Sequence, residues 1–246
     1  MGVKCDYPPF GYINGAGTNA GYGIDIVHKM AQYAFGNPNA VKFTCVTGSD
    51  RVGYLTTGRI DLIVATMSYT PARAKVIKFS APYFDSGVKL LVPKSSSISS
   101  FANVKGKSVI SITGTTASLW LTKCMPKVHQ ALYKETSQAL SALQEHRGVA
   151  FAQDDTLLVD LAAKNSTLKV VGKAEAASPW GMGTKSSAVA FSKWVNAALH
   201  KMQTADYFWQ SFKKAVPEKA LQSQFASFVP RPGHSLTYPT GSIYVC

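Results

Sequence analysis

The chain reads as an α/β protein built from two lobes. Short β-branched runs alternate with amphipathic stretches along its length, the pattern of strands joined by helical crossovers. Two stretches rich in Ser, Pro and Gly interrupt that series where the chain would pass from one lobe to the other. With 46% hydrophobic residues and 11% aromatics in 246 residues, the chain can bury a core, which excludes intrinsic disorder as its main state.

Taken in order, Gly15, Gly17 and Ala20 have the spacing of a dinucleotide fingerprint, but no strand-to-helix unit surrounds them and Gly21 and Gly23 follow at once. A glycine-rich hairpin turn is the better reading. Ile24, Val27, Met30, Ala31 and Ala34 then repeat at helical spacing. VKFTCV (41–46), DLIVAT (61–66), KLLVPK (89–94), SVISIT (108–113), GVAFAQD (148–154) and LKVVGKA (168–174) read as strands. Helices are expected just after Pro71, from Thr115 or Thr116, around Leu140 and Leu143, and around Leu157, Leu158 and Leu161. The region from Phe191 to Val216 is expected to form two helices, broken at Thr204-Ala205-Asp206 with Thr204 as the second cap. The tail beyond Pro217 has few apolar repeats and is expected to wrap the surface.

PKSSSISS (93–100) and SPWGMGTKSS (178–187) are the junctions. They put a discontinuous first lobe at 1–91 and 183–246 and a second lobe at 92–182, a hinged pair suited to closing on a ligand in a cleft. On these residues alone, one α/β domain with two surface loops remains the alternative.

Lys plus Arg number 26 against 13 Asp plus Glu, so the net charge is +13. Such an excess suits nucleic acid, an anionic membrane surface or an anionic ligand. The basic residues are dispersed and no basic stripe interleaves with aromatics, so no nucleic acid is expected as a partner. No apolar run approaches the roughly 20 residues that cross a bilayer. The start MGVKCDYPPF lacks the features of an export signal, so any such signal is expected to have been removed. The histidines show no metal-binding pair, and GKS (106–108) has Phe101 where a phosphate loop needs Gly. No cofactor or metal is expected.

Arg73 stands where a short helix would begin after the strand at 61–66. Its planar guanidinium matches a carboxylate with two parallel hydrogen bonds, and Thr66 and Ser68 would add hydroxyls beside it. A surface ion pair is the plainer alternative. In ITGTTASLW (112–120) a strand ends, Gly114 turns the chain, and the helix start at Thr115 or Thr116 offers backbone N–H groups to an anion. Asp154 and Asp155 end a strand and open a helix; one suits the helix N-terminus, and the other could accept hydrogen bonds from an ammonium group.

These residues lie in segments that resemble the bacterial extracellular amino-acid-binding proteins of ABC importers, family 3, and most nearly the glutamate/aspartate-binding type. The segments are PPF (8–10), GYGIDIV (21–27), VTGSDRVGYL (46–55), DLIVATMSYTPARAKVIKFSAPYF (61–84), ISSFANVKGKSV (98–109) with ITGTTA (112–117), VAFAQDDTLL (149–158) and PEKALQSQF (217–225). The resemblance implies the type II periplasmic-binding-protein fold, two α/β lobes joined by two hinge strands with a ligand cleft between them. It implies a monomer that traps an amino acid, expected to be glutamate or aspartate, and delivers it to a membrane permease in the periplasmic or extracellular space, where its transporter would associate it with the membrane, with no enzymatic step. Arg73 would bind the α-carboxylate with Thr66, Ser68 and the Thr116 N–H; Asp154 would accept the α-ammonium, leaving Asp155 as the helix-start residue; Tyr7 would wall the ligand. Arg51 and Lys4 fall where acidic-ligand relatives carry arginines facing the side-chain carboxylate. Gly48 replaces a serine of that pattern, and Thr136 replaces a histidine that helps hold the distal carboxylate. These departures admit glutamine, asparagine or another amino acid. A sensor module and a dehydratase-like enzyme on the same scaffold are the further alternatives.

The four cysteines allow three pairings. Cys5 and Cys45 end strands expected to be neighbours, so a bridge between them is geometrically allowed. A Cys124–Cys246 bond would tether the lobes.

Overall fold

Strands and helices alternate through the computed structural model, which describes residues 1–240 and 246. They fall into two units, Met1–Asp85 with Pro179–Tyr238 and Ser86–Ser178 with Pro239–Cys246. Along the chain, the first unit begins with β1 (Gly2–Val3), β2 (Asp6–Tyr7), β3 (Gly11–Ile13), β4 (Asn19–Ala20) and α1 (Tyr22–Phe35). It continues through β5 (Thr44–Cys45), α2 (Arg51–Thr56), β6 (Leu62–Val64), α3 (Pro71–Ala74) and β7 (Ile77–Phe84). The second unit comprises β8 (Val88–Pro93), β9 (Ser108–Ile112), α4 (Thr116–Cys124), β10 (His129–Tyr133), α5 (Thr136–Gln144), β11 (Ala150–Asp154), α6 (Asp155–Lys164) and β12 (Leu168–Glu175). The chain then returns to the first unit as β13 (Trp180–Lys185), α7 (Val189–Thr204), α8 (Tyr207–Ala215) and α9 (Lys219–Gln224).

In the first unit the main sheet runs β5-β1-β6-β13-β7. β5, β1 and β6 are parallel, and β13 is antiparallel to both its neighbours. Leu55, Ile60, Ile63, Met67 and Ile77 pack one cluster of its core. The Gly15–Gly17 segment is a hairpin turn between β3 and β4, with Gly17 at φ 73°, where glycine carries no Cβ penalty. α1 buries Ile24, Val27, Met30 and Ala31 at the spacing seen in the sequence, and stops at Gly36 in the left-handed conformation. The second unit's sheet runs β10-β9-β11-β8-β12, with β10, β9 and β11 parallel and β8 antiparallel to β11 and β12.

Several expectations differ from the fold. SPWGMGTKSS holds a strand that sits inside the first sheet, β13, where a loop was expected. Its glycines are there for space: a Cβ on Gly183 would come within 2.8 Å of Met67 and 2.9 Å of Ile77. Thr204 does not cap α8; its Oγ1 donates back to the His200 carbonyl at 3.0 Å, and Asp206, at φ 53°, precedes the helix. The tail forms α9 and buries Phe225 and Val229.

The expected boundaries at 91/92 and 182/183 also differ from those of the two units, because β8 pairs wholly within the second sheet and β13 wholly within the first. The chain passes between units at 85/86, 178/179 and 238/239, so the last residues, expected in the first lobe, belong to the second unit, and PKSSSISS lies inside the second unit. Ser178 N donates to the Ser86 carbonyl at 2.8 Å, tying the first two links together. Two disulfides are formed, Cys5–Cys45 in the first unit and Cys124–Cys246 in the second.

Candidate functional site

In open α/β sheets, binding residues gather beyond the carboxyl ends of parallel strands, where helices present their N-termini. The anticipated residues of each unit occupy that edge. In the first unit, Lys4 follows β1, Arg51 opens α2 after β5, and Thr66 and Ser68 follow β6. In the second unit, Thr116 opens α4 after β9, Thr136 opens α5 after β10, and Asp154 ends β11.

Arg73 is held by its own short helix. Pro71 suits the first helical position, Thr70 caps the turn by accepting the Arg73 N–H at 3.0 Å, and Arg73 Nη1 donates to the Ser68 carbonyl at 2.7 Å. The guanidinium is half-buried, so its fork is positioned while a face of the side chain still meets solvent. Ser68 is buried and forms a bridge with Trp180 of β13. Thr66 takes φ 45°, a conformation a β-branched residue rarely adopts, and its N–H donates to the Tyr83 hydroxyl at 3.2 Å. Its carbonyl accepts Arg51 Nη1 at 3.3 Å, and Arg51 Nη1 also donates to the Ala65 carbonyl. Arg51 is thus buried against the strand end and braces the Thr66 turn.

Lys4 is buried, and its Nζ forms an ion pair with Asp6 Oδ1 at 2.6 Å. The same ammonium lies 5.9 Å from the centre of the Tyr7 ring. Tyr7 is buried against Phe10 and Trp180, edge-on at 6.3 and 6.2 Å. Trp180 is fully buried, stacks on Phe84 at 5.0 Å, and its indole N–H finds no acceptor among the described residues. Reading the residues around Trp180 as a junction hid it; an aromatic beside glycines in a short β-compatible run is the signal that marks it.

In the second unit, Thr115 caps α4 by accepting the Ser118 N–H at 3.3 Å, and Gly114, at φ 75°, makes the turn out of β9. Thr116 is therefore the first helical residue, in the turn whose N–H groups lack intrahelical partners. Asp154 and Thr136 are both buried. Asp155 does more than start its helix. Its Oδ1 accepts the Ser86 hydroxyl at 3.0 Å and the Gly87 N–H at 3.3 Å, and its own N–H donates to the Gly87 carbonyl at 2.7 Å. It clamps the link through which the chain enters the second unit.

Burial pushes the Asp155 carboxyl above its ordinary value, against the hydrogen bonds from Gly87 and Ser86 and the charge of Lys89, which pull it down. The folded protein therefore holds this proton to higher pH than the unfolded chain, where it titrates near about 3.9. The stabilising contribution is fully present below that value and is lost as pH rises through the folded value. Urea unfolding across the weakly acidic range is expected to show the native protein losing stability with rising pH relative to Asp155→Asn. Parallel pH profiles would contradict this.

The family model for bacterial extracellular solute-binding proteins, family 3, matches residues 1–215. The glutamine-binding protein of an ABC transporter from Bacillus subtilis is 34% identical over 220 residues, covering 89% of this chain and 81% of that protein. The glutamate/aspartate import solute-binding protein of Escherichia coli is 27% identical over 232 residues, covering 88% and 77%. Among solved structures, the solute receptor for L-cysteine of Neisseria gonorrhoeae superposes with a TM-score of 0.85 at 30% identity, covering 87% of this chain and 88% of that one. The expected nearness to the glutamate/aspartate-binding type thus gives way to higher identity with a glutamine-binding relative.

Proposed function

The chain belongs to the bacterial extracellular solute-binding proteins, family 3, with the type II periplasmic-binding-protein fold, and from that membership we propose that it captures glutamine for delivery to an ABC transporter permease. At the coarser level it is an amino-acid-binding protein of ABC transport, in a family of transport proteins and not of enzymes. It acts as a monomer in the periplasmic or extracellular space, a setting that suits two disulfides.

In this reading Arg73 takes the α-carboxylate in a bidentate pair, assisted by Ser68, Thr66 and the helix start at Thr116. Asp154 takes the α-ammonium. Tyr7 supplies an apolar wall, and Lys4, Arg51 and Thr136 define the region that receives the ligand's side chain. Exclusion of water around the bound ligand would strengthen every charged contact.

The observation that carries the choice of glutamine is the Lys4–Asp6 ion pair. With a carboxylate 2.6 Å from its ammonium, Lys4 is compensated within the protein and offers little net charge to a distal carboxylate. An amide, which donates and accepts, fits a Lys–Asp pair better than a second anion does. The 34% identity to a glutamine-binding relative supports the same choice. Glutamate or aspartate is the second reading, favoured by Arg51, which brings a guanidinium to the same strand edge, and by the 27% identical relative.

Asp6→Asn separates the two. It releases the Lys4 charge and is expected to move the ratio of glutamate to glutamine affinity toward glutamate by about tenfold or more. Calorimetric titration with both amino acids measures the ratio. An unchanged ratio would remove Lys4–Asp6 from the specificity determinants.

A further inference from the structure

α1 and α7 pack together in the first unit and leave an apolar groove of about 190 Å³, lined by Met30, Ala34 and Phe35 of α1 and by Phe191 and Trp194 of α7. Phe35 is 66% exposed, a large apolar side chain displayed beside this groove. The Phe191 and Trp194 rings stack at 5.9 Å with an interplanar angle of 9°, so they form a fixed aromatic plate.

Cations adjoin this plate. On α7 the residues Phe191, Trp194, Ala198 and Lys201 follow one another at helical spacing and so share a face. Lys201 Nζ lies 4.3 Å from the centre of the Tyr33 ring of α1, and Lys29 Nζ lies 5.3 Å from the same ring. Two ammonium groups thus converge on one aromatic ring, and neither forms an ion pair among the described residues. α7 contains no acidic residue, and the one acid of α1, Asp25, is occupied by Lys214. The surrounding unit carries 15 basic against 7 acidic residues, 15 − 7 = +8.

We propose that this α1/α7 face docks on an anionic phospholipid bilayer, with Phe35 and the Phe191–Trp194 plate at the level of the headgroups and Lys29 and Lys201 against lipid phosphates. Amphipathic faces with aromatics on the apolar side and lysines on the polar side lie in that interface, and juxtamembrane lysines are drawn to anionic leaflets. A second copy of the chain is the poorer occupant, because two-fold pairing of this face would set Lys201 and Lys29 against their own like charges.

Flotation with vesicles of phosphatidylcholine alone, and of phosphatidylcholine mixed equally with phosphatidylglycerol, tests the proposal at low and high salt. The protein is expected to bind the mixed vesicles and not the neutral ones. Phe35→Ser and Lys201→Glu are each expected to weaken partition several-fold, and together about tenfold or more, with ligand affinity unchanged. Lys105→Glu with Lys107→Glu, exposed in the second unit, controls for overall charge and is expected to have the smaller effect. No vesicle binding, or equal losses in the two sets of variants, would overturn it. So would a dimer in solution that Phe35→Ser dissolves, or binding that appears only with a purified permease.

Discussion

Replacing Arg73 by Ala is expected to raise the dissociation constant for the amino acid by about two to three orders of magnitude, the cost of removing one partner from a desolvated charge pair. The effect should be this large because the guanidinium is placed in advance. Pro71 and the Thr70 cap fix the helix on which it stands, and the Ser68 carbonyl holds Nη1, so little ordering remains to be done when a carboxylate arrives. Arg73→Lys keeps the charge but loses the planar fork, and is expected to weaken binding by at least about tenfold. Both variants should unfold close to the native midpoint, since α3 buries no residue. Binding within a few-fold of the native protein would show that the α-carboxylate is held elsewhere.

Removing the Cys124–Cys246 bond by a Cys124→Ser, Cys246→Ser double substitution is expected to cost the folded state about 4 to 5 kcal/mol in the chain-entropy account. The two cysteines are 122 residues apart, whereas Cys5 and Cys45 are 40 apart. Loop entropy grows with the logarithm of length, so the corresponding loss for Cys5 and Cys45 should be smaller by about 1 kcal/mol. The longer bond has a further role in the connectivity. Tyr238 stacks on Tyr69 at 4.5 Å and donates to the Ser80 carbonyl at 2.6 Å, both in the first unit, while the tail after it ends on Cys124 of the second. The disulfide lies within the second unit and fastens there the tail that leaves the first unit at 238/239, so that tail becomes a third link beside those at 85/86 and 178/179. Guanidinium unfolding of the native and double-substituted proteins checks the cost. A loss under about 1 kcal/mol, or a larger loss for the Cys5–Cys45 pair, would contradict it.

Much of this fold is legible in the chain. The β-branched runs at 61–66, 108–113 and 148–154 became β6, β9 and β11, and the helical repeats around Val27, Leu143 and Leu158 became α1, α5 and α6. These elements bury one face or both, so solvent exclusion writes a period into their sequence. β1, β2, β4 and β5 are only two residues long, too short to carry any period. β13 escaped for another reason: its glycines mark close packing by Met67, Ile77 and Phe79, which a sequence read residue by residue scores as a turn.

The site was legible to the extent that residue type declares chemistry. Arg73, Asp154 and Thr116 follow strands whose parallel pairing puts them at a carboxyl edge, and each reading needed only local order. What sequence spacing could not express is pairing. Lys4 and Asp6 share a face of their extended segment, as residues two apart do, but only the structure shows that they meet, at 2.6 Å across the bend at Cys5, which makes Lys4 one half of a dipole where an anion receptor was expected. The large positive charge divides in the same way. In the proposed reading a few cations serve the site; Lys29 and Lys201 stand over the Tyr33 ring, and the rest are spread over both units.

Calorimetric titration of the native protein with the free amino acids bears most directly on the central claim that this chain is a receptor for one polar amino acid. Glutamine is expected to bind most tightly with one site per chain, to raise the unfolding free energy by about 2.7 kcal/mol at a hundred times its dissociation constant, and to lose both effects in Arg73→Ala. Absence of heat and of stabilisation with every amino acid, or binding untouched by loss of Arg73, would contradict the account.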